Sequence, residues 1–508
     1  MTKLQTYFQT HPDRCFYAFA FLYCVVWFLL PFLVQANVRP DTVEQFFFGK
    51  EWTINATKHP ILPSKIIEIG YILTGGAAWS TYFVSALTVF VMLWAIWKIS
   101  RKFLPAHFAF LAILASCNYR YLNIASTYFH NAFALLPFWI LTIFFFYNAL
   151  ESGKLRFWIL AGITTGCGLL CYYPMILAAI TCFLFVMGFS EIRRKYWGKL
   201  ILTTLIAFLI FLPHLVWVFH HGFSTFRYME SRGVITHHWY HHLAQPCLFF
   251  LIQQLVLLLP VLISIFPVLE LRKPLTSNKS EKETSWKFYF FPCMVWIPVL
   301  FQVAYCVYSG NYMLSRYGSH LWLFFPLFAL CGFSLTSNPQ KIRQAFCCSL
   351  IVMFVTMAIF AGYWMINPFV SRKTNDTLFP GKQLAAKVEQ LWHEKYSLPI
   401  PYAAGEWQLS GNLALYGKDR PTVIAFGGHK YFGTEKALLI TPWVTTKDLY
   451  EKGGVILWTI HDEKMPIPAN LATDFPNAEV FPSFEISPQT IAKRPPIKIG
   501  IAIVPPPK

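Results

Sequence analysis

Residues Arg39–Leu62 read "RPDTVEQFFFGKEWTINATKHPIL". This acidic, basic and aromatic stretch follows directly on an oily segment, residues 16–34, long enough to cross a bilayer. A chain that leaves a membrane segment and at once presents Asp41, Glu44, Lys58 and His59 is placing chemistry at a bilayer boundary. The fold therefore turns on how many more such segments follow and on which side their connecting loops fall.

Composition supports the membrane reading. Of 508 residues, 56% are hydrophobic, 18% aromatic and only 13% charged, against about 25% charged in ordinary globular domains. A soluble fold could not cover that much apolar surface. Eleven candidate spans emerge at about 20 apolar residues each: 16–34, 76–97, 103–118, 131–149, 157–172, 174–190, 200–219, 247–269, 288–308, 319–335 and 346–367. The first is too long for the apolar core of a cleaved leader and is expected to stay as an anchor.

The net charge of +18 is tested against topology before any nucleic-acid partner is considered. With the N-terminus in the cytoplasm, the cytoplasmic loops carry Lys98, Arg101, Lys102, Lys154, Arg156, Arg193, Arg194, Lys195 and Lys199, the Arg272–Lys287 cluster, Lys341 and Arg343. The opposite loops carry fewer: Arg39, Lys50, Lys58, Lys65, Arg120, Arg227, Arg232 and Arg316. This bias follows the positive-inside rule and accounts for much of the charge without nucleic acid. An odd span number then puts the tail from residue 369 onward on the outer face, together with the Arg39–Leu62 loop.

The outer loops also hold the chemistry. Beside Asp41, Glu44 and His59 stand Arg120, His130 and Asn131 in the second, Arg227, Glu230, Arg232 and the pairs His220–His221, His237–His238 and His241–His242 in another, and Arg316 with His320 in a fourth. Asp41 and Glu44 are three apart and would share a helix face. A desolvated carboxylate at the boundary gains proton affinity and suits general-base work, although a solvated loop acid has the same spacing. Lys58–His59 can bind a phosphate or anchor the loop at headgroups, and Arg316 can clamp a phosphate or snorkel. Adjacent histidines are not a specific metal spacing. The twelve cysteines, ending at Cys348, show no paired zinc pattern and read as small packing residues.

Composition changes near residues 367–368. Residues 1–368 form the expected transmembrane domain and 369–508 an extracytoplasmic α/β domain. In the latter, "DTLFPGKQLAAKVEQLWHEKY" (376–396) predicts an amphipathic helix and "GEWQLSGNLALYG" (405–417) a second. "IPYAAG" (400–405), "RPTVIAF" (420–426), "GVILWTI" (454–460) and "IKIGIAIV" (497–504) predict strands.

The order of these pieces resembles the GT-C superfamily of polyprenyl-phosphate-sugar-dependent glycosyltransferases. The likeness is to bacterial family 39 members, relatives of protein O-mannosyltransferases, aminoarabinose–lipid A transferases and lipopolysaccharide galacturonosyltransferases. It rests on "D..E" at Asp41/Glu44, "HP.L" from His59, "YFHNAFALLPFW" (128–139), "GLLCYYPMIL" (168–177), "FLPHLVWVF" (211–219), "LSRYGSHLW" (314–322) and the tail segments "GNLALYGKDRPTV" (411–423), "TPWVTTKDLYEKGGVILW" (441–458) and "PPIKIGIAIVPP" (495–506).

The resemblance implies an α-helical polytopic fold of GT-C type with about 11 spans. It implies transfer of a sugar from an undecaprenyl-phosphate-type donor to lipid A, lipopolysaccharide core or another envelope acceptor, on the periplasmic face of a bacterial inner membrane. Asp41 would be the base or would orient the acceptor, and Glu44 would support it or help hold a divalent metal ion, the one cofactor the resemblance allows for. Lys58, His59, Asn131, Tyr173 and Arg316 would line the carrier-phosphate and substrate site. Tyr172–Tyr173 stand where many relatives have lysine, "HP" replaces "KP", and Asn131 cannot act as a base. A lipid or sugar transporter and a non-catalytic envelope assembly protein are the rival readings. Against a transporter, the span interiors are nearly free of acids and bases.

Overall fold

The computed structural model describes residues 3–53, 55–231, 247–270, 285–310, 313–370, 376–426, 439–461, 467–468, 471–488 and 495–507. Seven of its helices are long and apolar enough to cross a membrane: Pro12–Val34, Ser80–Ser100, Asn131–Ser152, Ser190–His220, the segment Leu248–Val268, Trp286–Ser309 and Pro339–Val370. The protein is a multi-pass membrane protein. The outer helices expose long apolar side chains such as Phe21, Leu33, Leu209, Phe354 and Ile359, the surface a bilayer covers. Asn131–Ser152, by contrast, is buried along most of its length and forms the centre of the bundle.

Four of the eleven expected spans take a different form. Segments 103–118, 157–172, 174–190 and 319–335 become the helices Ala106–Cys117, Leu155–Leu169, Met175–Gly188 and Phe325–Gly332. At 1.5 Å per residue a 12-residue helix reaches about 18 Å, short of a hydrocarbon core of about 30 Å. Pro105 and Pro174 start two of them late, and turns over 319–324 shorten the fourth. Their apolar residues are covered by protein: Leu111, Ala112, Ile113, Leu114, Ala115 and Cys117 are all buried. All twelve cysteines are free.

Between the first and second long helices the chain makes two shorter ones, Pro40–Lys50 and Leu62–Leu73, which pack on each other. Gly49 permits this approach, because a Cβ there would lie 2.5 Å from the Ser64 carbonyl oxygen.

The tail builds a five-stranded mixed sheet in the order 422–423, 402–405, 454–459, 497–504, 479–486. The first three strands are parallel and the last two run antiparallel. Side chains alternate across it. Val455, Leu457, Ile499, Ile501 and Ile503 meet helices Gly381–His393 and Trp407–Tyr416 on one face. Ile456, Trp458, Ala502 and Val504 meet Leu449 of Thr446–Lys452 on the other. The edge strand Glu479–Ile486 was not expected. Pro482 breaks its pattern and sits at a register shift between Phe481 and Phe484, which only an edge position tolerates.

The tail is fastened to the two short helices. Arg420 makes two 3.0 Å bonds to Glu68 and lies 4.2 Å over the Tyr71 ring. Thr422 donates to Glu51 at 2.8 Å, and Asn37 donates to Asn412 at 2.8 Å.

Candidate active site

Arg39 is extended and Pro40 occupies the first helical position, so the Pro40–Lys50 helix starts sharply at the end of the first span. Asp41 falls in its first turn, where the helix dipole favours a carboxylate. Glu44 follows one turn later on the same side and is buried.

Five chain segments gather around this turn. Arg316, from the short 3-10 helix Ser315–Gly318, brings Nη1 to 3.3 Å from Asp41 Oδ2. Tyr128 donates its hydroxyl to the same oxygen, and Arg39 lies 5.0 Å over the Tyr128 ring. Lys58 Nζ reaches Glu44 Oε2 at 2.6 Å and lies 5.8 Å from the centre of the Tyr228 ring. The His59 ring packs edge-on to Tyr172 and Tyr228, at 6.3 and 5.9 Å. The structure thus brings Asp41, Glu44, Lys58, His59 and Arg316 into one cluster.

The electrostatics differ from the sequence expectation at Asp41. Burial does push its proton affinity up, but Lys58, the Tyr128 hydroxyl, His130 and Arg316 together outweigh burial and hold the carboxyl below its usual range. Asp41 is therefore a firmly ionised carboxylate facing cations. Burial also disfavours charge on Lys58, but Glu44, Tyr228 and Asp41 reverse that and keep it protonated. His59, desolvated and beside Lys58, is pushed down to about 3, and burial takes His130 to about 4. Both imidazoles are neutral at physiological pH.

Asn131 and Tyr173 stand differently. Asn131 donates to the carbonyls of Pro60 and Cys171, each at 3.1 Å, and accepts from Gln45 at 3.0 Å. Both its donor hydrogens are used in tying three segments together, which leaves none for a phosphate. Tyr173 points to a separate chain: its hydroxyl is 2.8 Å from His214 Nε2, and His214 Nδ1 meets Asn55. Its neighbour Tyr172 is the one beside His59. Tyr128 is a site residue that sequence reasoning left out, and His130, named among the outer-loop residues, was given no role there. His130 accepts from the Phe133 amide at 3.0 Å and caps the central helix. Residues 232–246, which carry Arg232 and the pairs His237–His238 and His241–His242, lie outside the described residues.

A divalent metal fits this donor set poorly. Asp41 and Glu44 each already face a cation, Arg316 and Lys58, and a dication between them would be repelled. Among the described residues no group of three or more His, Cys, Asp or Glu could hold a metal.

Comparison with known proteins follows the same lines. Residues 58–217 match the family model described as dolichyl-phosphate-mannose-protein mannosyltransferase. The structure of ArnT from Cupriavidus metallidurans bound to undecaprenyl phosphate superposes with a TM-score of 0.62, covering 97% of this chain and 98% of that one at 12% identity. The chain has an ArnT-like GT-C fold. The apo form of the same ArnT gives a TM-score of 0.60 over 98% of each chain, again at 12% identity. An oligosaccharyltransferase from Archaeoglobus fulgidus aligns more loosely, with a TM-score of 0.44, 10% identity and 82% of this chain covered against 64% of that one. No curated protein sequence matches the chain. The family match begins at Lys58 and ends before Arg316. Of the clustered side chains, Asp41, Glu44 and Arg316 therefore lie outside it.

Proposed function

We propose that the chain transfers a sugar from a polyprenyl-phosphate donor to an envelope acceptor, on the outer face of a bacterial inner membrane. Lipid A or lipopolysaccharide core is the acceptor class that the sequence resemblance favours. The observation that carries this reading is the Arg316–Asp41 pair at the end of the first span. A fork-shaped cation and an ionised carboxylate stand side by side at the level where a lipid-linked sugar phosphate would sit. The GT-C fold supports the reaction class.

In the reaction the acceptor hydroxyl attacks the anomeric carbon, the bond from that carbon to the carrier phosphate breaks, and the phosphate leaves with the electron pair. Negative charge grows on the phosphate oxygens, so a positioned cation lowers the barrier. Arg316 supplies it, with Lys58 behind. Asp41 orients the acceptor hydroxyl and takes its proton. At rest Arg316 and Lys58 make Asp41 a weak base. When the carrier phosphate draws Arg316 to itself, Asp41 loses part of that stabilisation and its proton affinity rises. Donor binding thereby switches on the base. Glu44 holds Lys58 in place, and neutral His59 packs against the aromatic wall.

The test is a transfer assay in membranes containing the full chain, with a radiolabelled polyprenyl-phosphate sugar and extracted envelope lipids. Asp41→Asn should insert normally and lose transfer. Mass spectrometry of envelope glycans from a deletion strain reads the acceptor. An unaltered glycan profile, together with full transfer by Asp41→Asn, would remove the proposal.

A further inference from the structure

The tail sheet has the topology of a nucleotide-type crevice, and its open end faces the catalytic helix. Strand Tyr402–Gly405 lies between Thr422–Val423 and Gly454–Thr459, parallel to both. It is linked to the first through helix Trp407–Tyr416 on one face of the sheet, whereas helix Thr446–Lys452, which leads into Gly454–Thr459, packs on the other. After strand 402–405 the chain turns into Trp407–Tyr416 on one face, and after strand 454–459 it reaches Leu471–Asp474, whose Leu471 packs with Phe475 on the other, so the chain parts at the carboxyl ends of these two strands. In open α/β sheets that gap is where ligands bind.

The gap is a real hollow here. A cavity of about 1040 Å³ opens at this point, at the upper end of the size range of small-molecule sites. Its floor is Glu406, just past the end of one strand, and Thr459, the last residue of the other. The Thr459 amide and hydroxyl donate to the Glu406 carboxylate at 3.0 and 2.7 Å and fix it. Gly405, with φ +102, allows the turn into the floor, since any Cβ would strike the Leu457 carbonyl. The rim carries Gln408, His461, Glu485 and Asp376, and the opposite wall is Pro40 and Val43. Pro40 directly precedes Asp41, and the rim carboxylate Asp376 is close enough to feel the Asp41 charge, so whatever enters the hollow lies near the turn that carries Asp41.

We infer that this crevice is an acceptor subsite for an unphosphorylated saccharide, neutral or amine-bearing, presented to Asp41 from the tail side. The inference rests on the transferase reading. Carboxylates and amides pair well with sugar hydroxyls and amines. Among the described lining residues, Glu406, Glu485 and Asp376 outnumber Lys498, so on these a phosphorylated sugar would meet net repulsion.

The test uses saturation-transfer NMR on the full chain in detergent with three probes: the tetramer of N-acetylglucosamine, its deacetylated form and glucosamine 6-phosphate. The two unphosphorylated probes should receive saturation and the phosphorylated one much less. The double variant Gln408→Ala/Glu485→Ala should lower the signal about tenfold, the effect of losing one or two hydrogen bonds, and Glu485→Gln should keep most of it. Gln408→Trp, which narrows the hollow from the tail side, should raise the acceptor KM while leaving the donor KM unchanged. No signal from any probe, a stronger signal from the phosphate ester, or an unchanged signal in the double variant would overturn the inference. Asp41→Asn separates the two readings: binding retained with transfer lost supports both. Saccharide binding by a wild-type chain that transfers nothing supports the crevice and sinks the transferase, and transfer without cavity-dependent binding does the reverse.

Discussion

Arg316 and Asp41, 275 positions apart in sequence, meet at 3.3 Å with the Tyr128 hydroxyl on the same carboxylate oxygen. If this pair grips the carrier phosphate, charge alone is not sufficient at position 316. Lysine keeps the charge and loses the planar two-pronged donor. Arg316→Lys should raise the donor KM and lower kcat, and Arg316→Ala should do so more severely. Asp41→Asn should cost about 10²–10⁴ in kcat, the usual worth of a positioned base. Initial rates at varied donor and acceptor concentration separate these effects. A double variant no worse than Asp41→Asn alone would show that the two residues act as a unit.

Tyr128 makes a sharper prediction, because it adjusts Asp41 without replacing it. The carboxyl is held below its ordinary range by Lys58, Tyr128, His130 and Arg316 against the opposing effect of burial. A rate that needs the carboxylate ionised should therefore persist below the pKa of about 3.9 of a free aspartate. Tyr128→Phe removes one stabilising donor, so the acid limb of the kcat/KM profile should move to higher pH. An acid limb that stays in place would mean that the bond does not tune the base.

The reach of sequence reasoning can be judged residue by residue. The three-residue spacing of Asp41 and Glu44 and the placing of Lys58, His59 and Arg316 in boundary loops were legible, because charge is rare in this chain and topology gathers it. Tyr128 was not, since one tyrosine among many aromatics at a membrane boundary carries no signal until its hydroxyl meets a carboxylate. Asn131 entered the expected site through the family resemblance, and only tertiary structure shows its donors taken by Pro60 and Cys171. The same limit explains the spans. Apolar runs such as 103–118 cannot be told from bilayer-crossing helices by periodicity, and where the helix starts and stops is what decides its reach. Four strands were legible from β-branched runs, whereas Glu479–Ile486 is an exposed edge that needs no such run.

The Glu44–Lys58 pair should show the asymmetry of buried ion pairs. The two side chains are 2% and 13% exposed. Removing one partner strands the other charge, which typically costs about 3–5 kcal/mol, whereas replacing both is far milder. Lys58→Met should lower the thermal midpoint of the detergent-solubilised protein markedly. Lys58→Met/Glu44→Gln should recover much of the loss in stability but not the activity.

His59 and His130 predict the acid sensitivity of the fold. Their folded pKa values, about 3 and about 4, lie below the unfolded value of about 6.5. Between those limits the unfolded chain binds more protons, so stability rises with pH there. The contribution is complete above about pH 6.5 and is lost progressively as the pH falls toward 4 and then 3. Melting temperatures between pH 7.5 and 4.5 should fall accordingly. His59→Gln/His130→Asn, which keeps an oxygen cap on the central helix, should flatten that slope. An unchanged slope would place the acid sensitivity elsewhere.

The fastening of the tail decides how closely the sheet is held to the Pro40–Lys50 helix. Glu68 is 2% exposed and takes both guanidinium bonds of Arg420, whose side chain also covers Tyr71. Lys50, at the far end of the helix that starts beside Asp41, donates to the Arg420 carbonyl. The clamp thus ties the strand pair at 402–405 and 422–423 to the Pro40–Lys50 and Leu62–Leu73 helices. Arg420→Ala leaves a buried, unpaired carboxylate and should cost about 3–5 kcal/mol. Arg420→Ala/Glu68→Gln removes the stranded charge along with the clamp, so it should fold and yet hold the tail more loosely. If the tail presents the acceptor, that double variant should show a raised acceptor KM with an unchanged donor KM, and faster proteolysis near residue 370. Equal rises in both constants would mean that the clamp serves the bundle and not the delivery of acceptor.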